Sequence, residues 1–172
     1  MIEVATLILI RKARVTDLKS ILVIYNQGIE DRIATLEIQP KDLAYMESWF
    51  ETRQGRYFVL VAEVKGIVVG WASVNPYNSR TAYRGVGDLS VYIDREHRGR
   101  GIGQKLLQEL EQTAQENEFH KLVLFTFPFN GLGQGLYRKA GFREVGVFHN
   151  QGVLEGKFVD VVAMEKLLNT DS

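Results

Sequence analysis

Leu89-Ser90-Val91-Tyr92-Ile93 leads through Asp94-Arg95-Glu96-His97 into Arg98-Gly99-Arg100-Gly101-Ile102-Gly103, and this passage decides how the chain folds. The first five residues read as a strand. After the glycines, Ile102, Leu106, Leu110 and Ala114 fall on one side of an amphipathic helix. Strand, glycine-rich turn and helix N-terminus together make a device for holding phosphate. The first helical residues have backbone N–H groups with no partner inside the helix. The helix dipole adds positive potential at the same place. Glycines at 99, 101 and 103 let the backbone approach a diphosphate without Cβ clashes. Gly99, Arg100, Gly101, Ile102, Gly103 and Gln104 are therefore expected to cradle a pyrophosphate through main-chain donors. Arg98 is a candidate to add a charge, and its competing reading is a solvated arginine.

Working outward, the spacing gives a β-α-α-β-β-β-α-β-α-β-β order. Met1 to Ile10 is apolar but lacks a basic start and a cleavage signal, so it reads as a first strand, centred on Leu7 to Ile10. Thr16 or Asp17 can cap a helix with Leu18, Ile21, Leu22 and Tyr25 on one face. Leu43, Met46 and Phe50 make a second helical stripe. Tyr57 to Glu63 and Ile67 to Val74 read as strands joined at Lys65-Gly66. Val86 to Ile93 is the central strand. Lys121 to Phe127 is apolar throughout, as a strand buried on both faces would be. Asn130 to Ala140 is a short helix, with Gly141 at its left-handed end. Phe142 to Phe148 and Phe158 to Met164 close the chain as strands. Antiparallel hairpins thus flank a β-α-β centre, an α/β (α+β) arrangement with helices on the faces of a mixed sheet.

The 172 residues suit one domain, 1–172, with a single core. Acidic and basic side chains balance at 21 each, which gives no bias toward nucleic acid or an anionic membrane. No apolar run is long enough to span a bilayer. The chain has no cysteine, which excludes disulfides, thiolate metal sites and a cysteine nucleophile. It also points to a cytoplasmic home. Its three histidines are scattered, among them His97 and His120, and no metal site is expected.

A Gly-x-Gly turn alone does not say which diphosphate is bound. A Walker loop would need Gly-Lys-Ser or Gly-Lys-Thr, and here Gln104 and Lys105 follow Gly103. A dinucleotide fold would place its glycine turn after the first strand, with an acidic residue ~20 residues further on. Here the turn lies past the middle of the chain. The pattern instead resembles the GNAT acetyltransferase superfamily, whose acyl-CoA signature Arg/Gln-x-x-Gly-x-Gly/Ala is filled by Arg98, Gly101 and Gly103. Downstream, Asn130, Tyr137 and Gly141-Phe142 resemble the second signature. The likeness covers nearly the whole chain. Within the superfamily it is nearest the phosphinothricin and methionine-sulfoximine N-acetyltransferases. The segments that carry this are Ile10 to Ala13, Asp17-Leu18, Ile24-Tyr25-Asn26, Arg80-Thr81-Ala82-Tyr83, Asp88 before Ser90-Val91-Tyr92, and Gly156 to Asp160.

The resemblance implies a largely antiparallel GNAT sheet of about seven strands with helices on both faces, splayed centrally for acyl-CoA. It also implies acetyl-CoA as co-substrate and direct attack by an amine, with no covalent enzyme intermediate. Val91, Tyr92 and Ile93 are expected to pair with the pantetheine arm. A backbone N–H of Tyr92 or Ile93 would polarise the thioester carbonyl. Asp88 stands where the group usually has a glutamate and is the candidate general base, acting directly or through one water. Its competing reading is a turn residue ahead of a strand. Tyr137 is the candidate acid for the leaving thiolate, against a packed core tyrosine. Asn130 would hold pantetheine amides, although Gly131, Gly133 and Gly135 replace the usual alanine, serine or proline and suggest a loose first turn. For the acceptor, Arg80, Tyr83 and Arg84 offer an arginine fork for a carboxylate or an oxidised sulfur or phosphorus group. Glu30 and Asp31 are candidates to face the amine. All five compete with an ordinary polar surface.

The leading expectation is a cytoplasmic, acetyl-CoA-dependent N-acetyltransferase for a small amino-acid-like amine, with a homodimer as a possible assembly through the apolar last strands. Two alternatives stay open: a protein or peptide N-acetyltransferase, and a non-catalytic acyl-CoA sensor that needs neither Asp88 nor Tyr137. A generic nucleotide-binding module ranks last, and it predicts that ATP or NAD competes with CoA.

Overall fold

Lys65 and Gly66 both take positive φ, 50° and 79°, the two-residue turn whose twist matches a hairpin. They join β2 (Phe58–Val64) to β3 (Ile67–Pro76). Strand β1 (Ile8–Lys12) pairs antiparallel with β2, and β4 (Val86–Ile93) pairs antiparallel with β3. The computed structural model describes residues 6–32 and 35–168, so residues 1–5 of the expected first strand lie outside the described residues. The remaining elements are α1 (Leu18–Asp31), α2 (Leu43–Glu51), α3 (Ile102–Glu116), β5 (Lys121–Thr126), α4 (Gly131–Lys139), β6 (Arg143–Leu154) and β7 (Lys157–Leu167). The order is the one expected from the spacing.

The seven strands form one sheet in the order β1-β2-β3-β4-β5-β7-β6. Only β4 and β5 run parallel, linked by α3. Helix α3 plants Ile102, Leu106, Leu107, Leu110 and Ala114 on one face, against Leu60, Ala72, Leu122, Leu124 and Met164. Each fully buried leucine there contributes roughly 1.5–3 kcal/mol over an exposed one. On the opposite face, Leu18, Ile21 and Ile24 of α1 and Met46 and Phe50 of α2 pack on Val59, Val61 and Trp71.

Three local expectations need correction. Asp17 precedes α1 but does not cap it with its side chain. Its carboxylate accepts two bonds from Arg11, at 2.8 and 3.0 Å, and one from the Arg14 N–H at 2.7 Å. Charge pairing across the β1–α1 corner outcompetes a neutral cap because charged hydrogen bonds are the stronger ones. Strand β5 is not buried on both faces: Leu122, Leu124 and Thr126 are buried, while Phe125 is 44% exposed. Helices α1 and α2 pack over β2 and β3, so this face of β5 lacks their cover. The first turn of α4 is well held, as its cap contacts show below.

Strands β4 and β5 pair only through Val86–Lys121, Gly87–Leu122 and Asp88–Val123. Past Asp88 they part. Residues 89–93 keep β3 on one side, residues 124–126 keep β7 on theirs, and no strand among the described residues fills the gap.

Candidate active site

A cavity of about 620 Å³ occupies that gap. Leu89 to Ile93 form one wall and Leu124 to Phe127 the other, with the start of α3 and the length of α4 closing it. At the α3 end, Gly99 and Gly101 hold φ of +76° and +82°, and a Cβ on either would meet nothing within 4 Å. The first intrahelical bond there is from Lys105 N–H to the Gly101 carbonyl. The N–H groups of residues 99–104 therefore have no partner among the described residues, and this open, positively polarised cradle fits a pyrophosphate. Arg98 lines the cavity, but its guanidinium pairs with Asp31 at 2.8 Å and bonds the Ile93 carbonyl, so its charge is already matched. Arg100 is exposed and lies off the cavity wall.

A second cavity, about 340 Å³, lies on the α1–α2 face. The β3–β4 register places Trp71 opposite Tyr92, Ser73 opposite Ser90, and Asn75 opposite Asp88. Alternation along each strand puts all six side chains on one face. Thr35, Asp88, Ser90 and Tyr92 line both cavities, so the two meet where β4 leaves β5. Burial pushes the Asp88 carboxyl up to about 7, against a smaller downward pull from Arg53. Asn75 ties this corner together: its Nδ2 donates to the Asp88 carbonyl and to Ser90 Oγ, both at 3.1 Å. Its Oδ1 accepts from Arg53 Nε at 2.7 Å and from Ser73 Oγ at 3.0 Å. The Tyr92 ring stacks on Trp71 at 4.8 Å, and Tyr25 and Trp49 meet Trp71 edge-on.

Tyr137 lines the large cavity from α4 and is only 9% exposed. Its ring packs edge-on to Phe142, and burial pushes its hydroxyl up to about 12. At neutral pH it is a neutral O–H donor. Asn130 also lines this cavity, but its side chain is engaged in capping α4: Oδ1 accepts from the Gly133 N–H and Nδ2 donates to Thr126 Oγ1, both at 3.1 Å. A Cβ at residue 133 would fall 2.4 Å from Asn130 Nδ2, so glycine there makes room for the cap. Gln134 adds bonds to the Phe127 and Pro128 carbonyls. Capping and these bonds hold the turn despite its glycines.

The acceptor candidates are placed elsewhere. Glu30 and Asp31, at the end of α1, pair with Arg95, and neither lines either of these two cavities. The Arg95 guanidinium, in the turn that follows β4, claims both carboxylates. Arg80, Tyr83 and Arg84 stand exposed around a turn at Thr81–Tyr83, with Tyr83 against Tyr77, outside both cavities of the single chain. Groups not anticipated from sequence are Thr35, Glu37, Trp49 and Arg53 on the small cavity and Phe125 and Phe127 on the large one. Among the described residues, no cluster of three metal-ligating side chains occurs and no helix is long and apolar enough to cross a membrane.

A strand pair that opens over a helix N-terminus is the architecture of an acyl-CoA-dependent transferase. The Acetyltransferase (GNAT) family matches residues 24–142, and the chain belongs to that family. It is 35% identical over 164 residues to the L-methionine sulfoximine/L-methionine sulfone acetyltransferase of Pseudomonas aeruginosa, covering 94% of each. A GNAT-superfamily phosphinothricin acetyltransferase from Sinorhizobium meliloti, solved in complex with AcCoA, matches with TM-score 0.88 and 31% identity over 93% of this chain and 88% of that one. A ribosomal-protein-alanine N-acetyltransferase from Brucella melitensis matches with TM-score 0.89 and 37% identity, over 92% and 99%.

Proposed function

We propose that residues 1–172 form one domain that transfers the acetyl group of acetyl-CoA to the amine of a small amino-acid-like substrate of the methionine sulfoximine or phosphinothricin type. The observation that carries the reading is the meeting of two cavities at Asp88, Ser90 and Tyr92. The larger suits the donor, with its pyrophosphate on the N–H groups of residues 99–104 and its pantetheine arm along Val91, Tyr92 and Ile93. The smaller suits the acceptor. Asp88 faces both and acts as general base. A carboxyl poised near 7 is ionised often enough to take a proton and basic enough to hold it. Asp88 first takes one proton from the ammonium and frees the nitrogen lone pair. As the amine attacks, the C–N bond forms. As the C–S bond breaks, Tyr137 gives its hydroxyl proton to the departing sulfur and regains one, the second proton that the nitrogen sheds, and Asp88 releases its own proton to solvent. Backbone N–H groups of β4 polarise the carbonyl.

The names of the Pseudomonas and Sinorhizobium relatives support a small acceptor. The Brucella neighbour favours a second reading, a protein N-terminus. The small cavity, about 340 Å³ and lined by Tyr45, Trp49 and Arg53, is of small-molecule size, which supports the first. The working form we infer is a cytoplasmic homodimer. Support comes from the twelve-residue edge strand β6, with Val145, Phe148 and Val153 exposed.

Thiol release with acetyl-CoA tests the function. The panel holds methionine sulfoximine, methionine sulfone, phosphinothricin, common amino acids, polyamines and alanine-terminated peptides. Turnover on the first three is expected. Turnover on peptides alone replaces this reading with protein acetylation, and none anywhere, with tight CoA binding, replaces it with a sensor. Sedimentation of the pure protein tests the dimer.

A further inference from the structure

We propose that Arg53 is the anion-binding residue of the small cavity and receives the carboxylate of the acceptor; this rests on the small-amine reading above and narrows it to amino acids. Helix α2 ends at Glu51, and the following turn folds Arg53 back over the Trp49 ring, 4.8 Å from its centroid. From there the guanidinium lines the cavity. Three of its five N–H groups are committed to the protein. Nε bonds Asn75 Oδ1, and Nη1 bonds the Trp49 carbonyl at 3.0 Å and Thr52 Oγ1 at 2.8 Å. These contacts fix the plane of the group and leave both N–H groups of Nη2 uncommitted among the described residues.

The charge is equally uncommitted. None of the ion pairs among the described residues includes Arg53. The other arginines on the path to the site differ: Arg95 and Arg98 pair with Asp31. Burial works against the Arg53 charge, and Asp88, its strongest carboxylate influence, lies beyond ion-pair range. A half-buried cation without a counter-ion is costly unless an anion arrives to match it. A rigid guanidinium is suited to a carboxylate.

Asp88 lines the same small cavity, joined to Arg53 through Asn75. A zwitterionic acceptor then meets a cation with its carboxylate and a base with its ammonium. The cavity, about 340 Å³, is of small-molecule size. A peptide N-terminus has no carboxylate beside its amine and leaves Arg53 unmatched, which disfavours it as acceptor.

The test compares methionine sulfone with its decarboxylated counterpart, 3-(methylsulfonyl)propylamine, on wild type, Arg53→Gln and Arg53→Lys. The expected result is a loss of about 10- to 100-fold in kcat/KM for the amino acid in Arg53→Gln. The amine loses less than about 3-fold, Arg53→Lys recovers part of the preference, and acetyl-CoA affinity is unchanged. Equal losses on both acceptors overturn the proposal and leave Arg53 a scaffold for Asn75. Binding is read without turnover by tryptophan fluorescence. The chain has two tryptophans, and both, Trp49 and Trp71, line this cavity. A methionine sulfone response in wild type that is lost in Arg53→Gln supports the carboxylate site even where no acetyl transfer occurs, which would sink only the transferase reading. No response in wild type, or one equal in Arg53→Gln, overturns the carboxylate site.

Discussion

Replacing Asp88 by asparagine should make the protein inactive and more stable at once. The carboxyl is pushed from its ordinary 3.8 to about 7 by burial. An acid whose pKa is raised on folding binds more protons folded than unfolded between those two values. Stability from this group therefore falls as pH rises from 3.8 to about 7, and the full cost persists above. At 1.36 kcal/mol per pH unit, the ceiling of that cost is about 4 kcal/mol. Asp88 lines two open cavities, so solvent reduces it, and about 2 kcal/mol is a working figure. Asparagine keeps the shape and removes the titration. Urea unfolding of wild type and Asp88→Asn at pH 5.5 and 8.5 reads it directly. The variant's advantage should be larger at pH 8.5 by about 1–2 kcal/mol, because most of the interval between 5.5 and 7 is then added. Groups common to both proteins cancel. The same substitution should abolish turnover and leave acetyl-CoA affinity intact, while wild-type kcat/KM rises through an acid limb near 7. An advantage that is equal at the two pH values refutes the desolvated carboxyl, and with it the reason for assigning Asp88 as base.

Tyr137→Phe should lower kcat by about 100-fold with little change in acceptor KM, and an unchanged kcat removes the hydroxyl from the proton path. Gly101→Glu sets a carboxylate in the anion cradle at a φ of +82° and should abolish acetyl-CoA binding by calorimetry; wild-type affinity would refute the pyrophosphate assignment. Within α4, Gly135→Ala meets open space and should stabilise by about 0.5–1 kcal/mol, whereas Gly133→Ala displaces the Asn130 cap, worth about 1 kcal/mol, and should not. Thermal melts of the two side by side decide this, with equal gains refuting the cap.

The fold was legible because its signals are local. Apolar, β-branched runs set β2 and β3, a 3.6-residue stripe set α3, and Lys65-Gly66 set the hairpin. The glycines at 99 and 101 announced the cradle for the same reason, since positive φ and a helix start are written in adjacent residues. The lining of the small cavity was not legible. Arg53 follows the end of α2 with nothing nearby to distinguish it, and only the fold carries it to Asn75, 22 residues on. Arg98, Glu30 and Asp31 had the right chemistry, but each found an opposite charge on another element first. Asn130 lines the large cavity, and the use of its amide as a cap depends on space at Gly133 that no spacing rule reports.

The three-pair seam between β4 and β5 has a consequence for folding. The sheet lacks a strand's worth of hydrogen bonding at its centre, so its four-strand and three-strand halves share little backbone there. An extended molecule lying in the gap contributes bonds that the polypeptide omits, and occupancy and cooperativity become one equilibrium. A donor at 100 times its Kd adds about 2.7 kcal/mol to global stability. Those amide protons of residues 89–93 and 124–126 that point into the gap, rather than to β3 or β7, should then change from the fastest-exchanging in the sheet to among its slowest. Where acetyl-CoA lies in the gap as proposed, the donor of the acetyl group also completes the fold.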